Sequence, residues 1–174
     1  MSFPFREVAK QDKQVIGQPR WSEPEGVDQR LRLVAPLLFK GRAMQGLELV
    51  GRAHADLRNL DVSFRLLYHP TNVRRDAVQI AGVDWRAKTP HSNEHANTPP
   101  ELLGDVGKCH YHSFDLNWSK QSGRPLSGLP IAEITTDFQT FNELIDGLRQ
   151  MLRISNASAA VRSPWPKDLF NAAS

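Results

Sequence analysis

The sequence predicts an α+β fold: a curved antiparallel sheet of about five or six strands packed on one long C-terminal helix. Between residues 30 and 118, apolar and polar residues alternate over several short stretches, as they do in half-buried strands. Towards the C-terminus the apolar residues instead recur at the i, i+3, i+4, i+7 spacing of an amphipathic helix. Because short turns separate the alternating stretches, we expect an antiparallel meander followed by the helix.

The first predicted strand is RLRLVAPLLFK, residues 30–40, in which alternate residues from Leu31 to Phe39 are apolar. Pro36 has no N–H to donate to a neighbouring strand, which predicts an edge strand or a bulge. Gly82 indicates a bulge in the fourth strand. The remaining alternating stretches are residues 47–57, 62–69, 77–87, 110–118 and 131–137.

The C-terminal helix is predicted from the apolar residues between Phe138 and Leu152. Asp137 or Thr140 can cap the start of this helix, and the segment TFNE at 140–143 has the form of a capping box. Gly147 lies in the middle of this helix, where glycine costs about 1 kcal/mol relative to alanine. We attribute it to close packing of the helix against the sheet.

The length and composition are those of one globular domain. The chain has 174 residues, 40% of them hydrophobic and 24% charged, with a net charge of +3. Because the basic residues are spread along the chain, the charge permits an anionic partner without requiring one. We predict an irregular N-terminal arm over 1–29, a single α+β domain over 30–154 and a coil tail over 155–174.

Cysteine usage and hydropathy predict a cytoplasmic protein without a membrane segment. Cys109 is the one cysteine, so the chain cannot form an internal disulfide, which fits a reducing compartment. The N-terminus lacks the apolar run of a secretory leader. The longest apolar stretch, LVAPLLF, is too short to span a bilayer.

Histidines are concentrated in one segment, since four of the six lie between residues 91 and 112. His110 and His112 are two residues apart on a predicted strand, so their side chains project to the same side, roughly 6.5–7 Å apart. Asp84 is the favoured carboxylate, because its strand can pair with theirs. We predict that His91, His110 and His112 bind a divalent metal such as zinc, or act with Asp84 as acid and base.

Three interpretations of this segment stay open: a bound metal, a metal-free polar or catalytic pocket, and a structural strand whose histidines bond to backbone carbonyls. The segment 87–109 favours a functional site, because a loop of this length is uncommon inside a compact domain. Cys109 is disfavoured as a nucleophile beside His110, because adjacent strand residues point to opposite faces. Whether the protein is an enzyme therefore stays open.

The segment VDWRAKTPHSNEH, followed by CHYHSFDL, resembles the signature of small bacterial toxin-like proteins of the TumE type. The resemblance extends over about residues 77–152. It implies a small α+β protein that forms the toxic half of a bacterial toxin–antitoxin pair. The partner would be an antitoxin-like protein that binds DNA, and RNA is the target that the resemblance suggests. The matching positions are Asp84, Pro90, His91, His110 and His112.

Two main hypotheses for function follow. The first is a hydrolase that acts on RNA, with Arg86 or Lys108 holding a phosphate beside the histidines. The alternative is a non-enzymatic module that binds a protein or a nucleic acid through the sheet. A third hypothesis is self-association through the strand at 30–40. The predicted basic contact residues are Arg65, Arg74, Arg75, Arg86 and Lys108.

Overall fold

The computed structural model describes residues 3–71 and 76–165. Three helices are described: α1 (Phe5–Lys10), α2 (Phe141–Met151) and α3 (Ala157–Ala160). A short 3-10 turn spans Pro100–Leu102. The strands are β1 (Lys13–Val15), β2 (Arg30–Phe39), β3 (Arg42–His54), β4 (Val62–Tyr68), β5 (Val78–Trp85), β6 (His91–Asn93), β7 (Gly104–Gly107), β8 (His110–His112), β9 (Trp118–Ser119), β10 (Arg124–Pro125) and β11 (Glu133–Ile134).

The main sheet is antiparallel and has the order β1-β2-β3-β4-β5-β8-β11. This confirms the predicted α+β class and the meander β2–β5, but the sheet has seven strands instead of five or six. The additional strand is β1, three residues long, which pairs with the end of β2. A strand this short cannot establish an alternating pattern, so periodicity does not detect it.

The two predicted irregularities have different outcomes. The register between β2 and β3 shifts between Pro36 and Leu38, which confirms the irregularity expected at the proline. The fourth strand is irregular as predicted, but at another position. Gly82 pairs regularly with Arg65, and the β4–β5 register shifts between Leu66 and Leu67, where Ile80 has no partner in β4. Gly82 is needed for space instead, since a Cβ there would lie 2.6 Å from Arg65 Cδ.

The strand β2 does not present a free edge along its outer side. β1 pairs with its last residues, and bridges from Trp21 and Glu25 pair with Leu33 and Arg30. This leaves little of β2 for self-association through the strand at 30–40.

The apolar core lies between one face of the sheet and α2. Alternate strand residues such as Leu33, Phe64 and Val83 are fully buried there, because the pleat sends every second side chain to the same face. The buried stripe of α2 completes this core with Phe141, Leu144, Ile145 and Leu148.

The prediction of a long C-terminal helix is wrong, because α2 has only eleven residues. The side chain of Thr140 accepts a hydrogen bond from the Glu143 N–H, so the cap lies two residues after Phe138. Arg153 adopts a left-handed φ of 56°, which ends the helix. Gly147 is tightly packed, but against the side chain of Phe138 and not against the sheet.

Segments at both ends of the chain dock on the domain. Lys13 is buried, and its ammonium donates to the carbonyls of Val8 and Gln11. Burial lowers the pKa of Lys13 to about 8. The Trp21 indole donates to the Arg162 carbonyl, and Trp165 donates to His54. Within the described residues, no helix is long and apolar enough to cross a membrane.

Candidate functional site

Three neighbouring strands place the polar residues of the site on one face of the sheet. In one cross-strand row, Arg65 of β4 pairs with Gly82 of β5, which pairs with His112 of β8. Two rows further along, Asp84 pairs with His110. Because side chains alternate along a strand, these residues lie on the face opposite α2. Strand pairing therefore brings Asp84 to the histidines, as the sequence predicts.

The side chains of His91, His110 and His112 form a compact cluster. Their ring centroids are 5.0–5.1 Å apart, and one potential ligand nitrogen from each ring lies within 4.8 Å of the others. His110 and His112 are 3% and 6% exposed. His91 is half-buried and comes from β6, outside the main sheet. The three histidines are close enough to bind one metal ion.

Backbone carbonyls require a proton on Nδ1 of each sheet histidine. His110 Nδ1 lies 3.1 Å from the Gly107 carbonyl, and His112 Nδ1 lies 2.6 Å from the Leu129 carbonyl. A carbonyl oxygen only accepts hydrogen bonds, so each Nδ1 must be the donor. The Nε2 atom of each ring is therefore the nitrogen that faces the site.

His91 is held in the opposite orientation. Its Nε2 lies 3.1 Å from both Asn93 Oδ1 and the Pro130 carbonyl, which leaves Nδ1 as the other nitrogen. Burial, followed by the neighbouring His112, lowers the pKa of His91. The neutral imidazole, which is the form that binds metals, is therefore favoured at this position.

The carboxylate of Asp84 joins the histidines to an arginine. Asp84 Oδ2 lies 3.2 Å from both His110 Nε2 and His112 Nε2, and Arg65 Nη2 donates to both carboxylate oxygens at 2.7 and 2.9 Å. Burial raises the pKa of Asp84, but the two histidine contacts and Arg65 outweigh it and hold the pKa below its usual range. Asp84 is therefore an anion at neutral pH, in contact with both sheet histidines and Arg65.

Asp84 lies close to two of the histidines but does not belong to the group of described residues whose ligand atoms could hold one metal ion. Nitrogen and oxygen ligands about 2.0–2.1 Å from a tetrahedral zinc ion lie about 3.3 Å from each other. The separation of 3.2 Å between Asp84 Oδ2 and each Nε2 is close to that value. Asp84 can thus accept two hydrogen bonds from protonated rings or lie beside a shared cation.

Two of the predicted basic contact residues, Arg65 and Arg86, are paired with carboxylates of the protein itself. Arg65 is bound to Asp84, and Arg86 Nε lies 2.6 Å from Asp137, which raises the pKa of Arg86. Lys108 is exposed near the site. Two of the predicted contacts, Arg74 and Arg75, lie outside the described residues.

Two other candidate groups lie apart from the cluster. His95 accepts a hydrogen bond from the Asn97 N–H through Nδ1 and does not belong to the metal-compatible group. Burial raises the pKa of Cys109, which keeps the thiol protonated and unreactive.

Sequence reasoning missed two buried asparagines that support the site. Asn93 and Asn117 are 1% and 0% exposed, and each binds backbone groups near the histidines. Asn93 could have been predicted from its position, because it follows His91 by two residues on the same short strand and so projects to the same side.

The fold and the site define an antiparallel α+β protein with a buried cluster of three histidines beside an arginine–aspartate pair. Comparisons of the chain with family models, with curated proteins and with solved structures give no match.

Proposed function

We propose that the protein binds a divalent metal ion, zinc or a similar one, through His91, His110 and His112, and hydrolyses RNA at this site. The observation that carries the proposal is the geometry of the three rings. Each ring has one nitrogen held by a backbone carbonyl, and the three rings present potential ligand atoms within 4.8 Å of one another.

The acceptors around the rings support metal binding. Histidine ligands of metals usually donate their second ring nitrogen to a carbonyl or carboxylate, which fixes the tautomer and the ring orientation. Gly107, Leu129 and Pro130 supply such carbonyls here. A zinc ion with three protein ligands keeps a position for water and lowers the pKa of that water to about 7.

An exposed arginine near the site supports RNA as the substrate. Arg52 is exposed on β3 and pairs with Ser63, which pairs with Asp84, so Arg52 lies in the same cross-strand row as the site. Two strand spacings separate Arg52 from Asp84, about 10 Å. A phosphate held by Arg52 would place a neighbouring part of the same strand near the histidines.

The burial of His110 and His112 favours a second candidate, a non-enzymatic binding module. In this candidate the metal fastens the segment carrying His91 to the sheet, and the exposed face binds a partner without chemistry. The resemblance to TumE-type toxins adds the prediction of an antitoxin-like partner. The single cysteine, which cannot form an internal disulfide, supports the separate prediction of a cytoplasmic location.

The hydrolase proposal predicts that zinc-loaded protein cleaves single-stranded RNA and that His112→Ala removes this activity. The variant should lose at least about 100-fold in rate, because the metal ion would lose one of its three protein ligands. Cleavage is followed on labelled oligonucleotides, and circular dichroism verifies that the variant is folded.

His95→Ala is the matched control, because His95 lies in the same segment but outside the cluster, and it should retain full activity. Activity that survives chelation would identify a metal-free acid/base site. Metal binding by the wild type without any RNA cleavage would identify the binding module.

RNA binding itself is expected to depend on Arg52. Affinity for a single-stranded RNA is measured with chelator-treated protein over a range of salt concentrations. Arg52→Ala should reduce the slope of log affinity against log salt by about 0.7, the value for one lost phosphate contact. Arg42→Ala, an exposed arginine at the far end of β3, should leave the slope unchanged. Equal slopes for the wild type and Arg52→Ala would exclude this face as the RNA contact.

A further inference from the structure

Four consecutive residues cross the histidine site and bind it through their backbone. We call residues 129–132 the strap. Leu129, Ile131 and Ala132 are almost fully buried. The backbone of each strap residue bonds to one buried or half-buried polar side chain, and these four side chains are His112, His91, Asn117 and Asn93, in the order of the strap.

The first half of the strap contacts two histidines. The Leu129 carbonyl accepts from His112 Nδ1 at 2.6 Å, and the Pro130 carbonyl lies 3.1 Å from His91 Nε2. These two adjacent carbonyls therefore select opposite nitrogens on the two rings.

The second half of the strap is held by two asparagines. Asn117 donates to the Ile131 carbonyl at 2.7 Å and accepts from the Ile131 N–H at 2.9 Å. Asn93 makes the same pair of bonds with Ala132, at 2.7 and 2.8 Å. Each side-chain amide thus fixes both backbone groups of one residue, so the strap can neither rotate nor shift without breaking two buried hydrogen bonds.

The backbone conformation of Leu129 requires contacts that fix it. Leu129 has a φ of 48°, in the left-handed region that side chains disfavour. A buried leucine persists there only when the surrounding contacts determine its conformation. The hydrogen bonds of Asn117 and Asn93 to Ile131 and Ala132, two and three residues further along the chain, supply such contacts.

We infer that Asn93 and Asn117 are positioning residues that hold the strap so that its carbonyls set the ligand nitrogens of His91 and His112. The inference rests on the proposed function, since it assigns the metal a mixed set of ligand atoms. These are Nδ1 of His91 and Nε2 of His110 and His112. The Oδ1 atom of Asn93 also binds His91 Nε2 directly, at 3.1 Å, so this asparagine supports both the strap and the ring.

Side-chain NMR tests the assignment in the wild-type protein. Long-range proton–nitrogen spectra of protein with ¹⁵N-labelled histidine show which ring nitrogen is protonated. We expect a proton on Nδ1 of His112 and on Nε2 of His91, without metal and with zinc. Zinc should shift the other nitrogen of each ring. A His112 ring protonated on Nε2 alone, or a His91 ring protonated on Nδ1 alone, would overturn the inference.

Asparagine variants test the role of the strap. Asn117→Asp keeps the acceptor for the Ile131 N–H but loses the donor to its carbonyl, and Asn117→Ala loses both. We expect zinc affinity to fall about 10- to 100-fold, with His112 changing to a mixture of tautomers. Asn97→Ala, at an exposed asparagine, is the control. A loss of stability with unchanged tautomers and zinc affinity would show a purely structural role.

The two proposals fail in different ways. If zinc does not bind but the wild-type tautomers are as expected, the metal-dependent function fails and the strap assignment stands. If zinc binds with the opposite tautomers, the metal site stands and the strap assignment fails. If Asn117→Ala does not fold, Asn117→Asp and the wild-type spectra decide.

Discussion

Metal-free protein prepared without a histidine tag is expected to bind about one zinc ion per chain, and His112→Ala is expected to bind none tightly. The reason is that His112 Nε2 is one of only three clustered imidazole nitrogens within the described part of the chain. Two histidines alone leave zinc short of the three or four protein ligands found in its usual sites. Native mass spectrometry and metal analysis measure the stoichiometry directly.

The same experiment has a thermodynamic readout. A ligand that binds only the folded state stabilises it by about 4 kcal/mol when its free concentration is 1,000 times the dissociation constant. Zinc should therefore raise the melting temperature of the wild type and leave that of His112→Ala nearly unchanged. His95→Ala should behave as the wild type. If the wild type neither retains nor gains zinc, the cluster is a metal-free pocket or a structural feature of the strand.

Zinc affinity should weaken as the pH falls, because protons compete with the metal for imidazole nitrogens. The pKa of His91 is lowered, so this histidine loses its ability to bind zinc at a lower pH than an ordinary histidine does. In the folded protein this ring stays neutral to a lower pH than an ordinary histidine, so His91 remains a competent ligand under mildly acidic conditions. Competition at His91 consequently begins at a lower pH than it would at an ordinary histidine.

Strand periodicity predicted the part of the site that lies within the sheet. Alternation placed His110 and His112 on one face, and antiparallel pairing of neighbouring strands placed Asp84 opposite His110. These are local and nearest-neighbour properties, which a single sequence contains. The same reasoning placed the core of β2 to β5 correctly.

Non-local contacts limited the prediction elsewhere. His91 was predicted as a site residue, although it reaches the site from a separate hairpin, β6–β7. The strap, residues 129–132, was not predicted, because no spacing along the chain relates it to the histidines. Arg65 was predicted to contact a partner, but Gly82 leaves room for it to lie against Asp84. The length of α2 was overestimated because apolar spacing continues through Phe138, beyond the cap at Thr140.

Asp84→Asn is expected to destabilise the protein strongly, by about 3–5 kcal/mol. Asp84 is 14% exposed at its side chain and lies against Arg65, His110 and His112. Removing its charge leaves the partly buried Arg65 guanidinium, whose side chain is 24% exposed, without a counter-ion. An uncompensated charge away from water is the costly outcome when one partner of such a pair is lost. Chemical denaturation of metal-free protein at pH 7 measures the difference from the wild type.

The exposed pair between Arg86 and Asp137 provides the matched control, since the side chain of Asp137 is 55% exposed. Asp137→Asn should cost less than about 1 kcal/mol, because solvent screens a surface ion pair.

The pH dependence of the stability difference between the wild type and Asp84→Asn separates the effect of the lost charge from that of altered packing. The pKa of Asp84 is lowered on folding, so its stabilising effect is complete above the unfolded pKa of about 4 and diminishes as the pH falls below it. The difference between the wild type and Asp84→Asn should therefore shrink below about pH 4. A difference that does not change with pH would show that the lost packing, and not the charge, destabilises the variant.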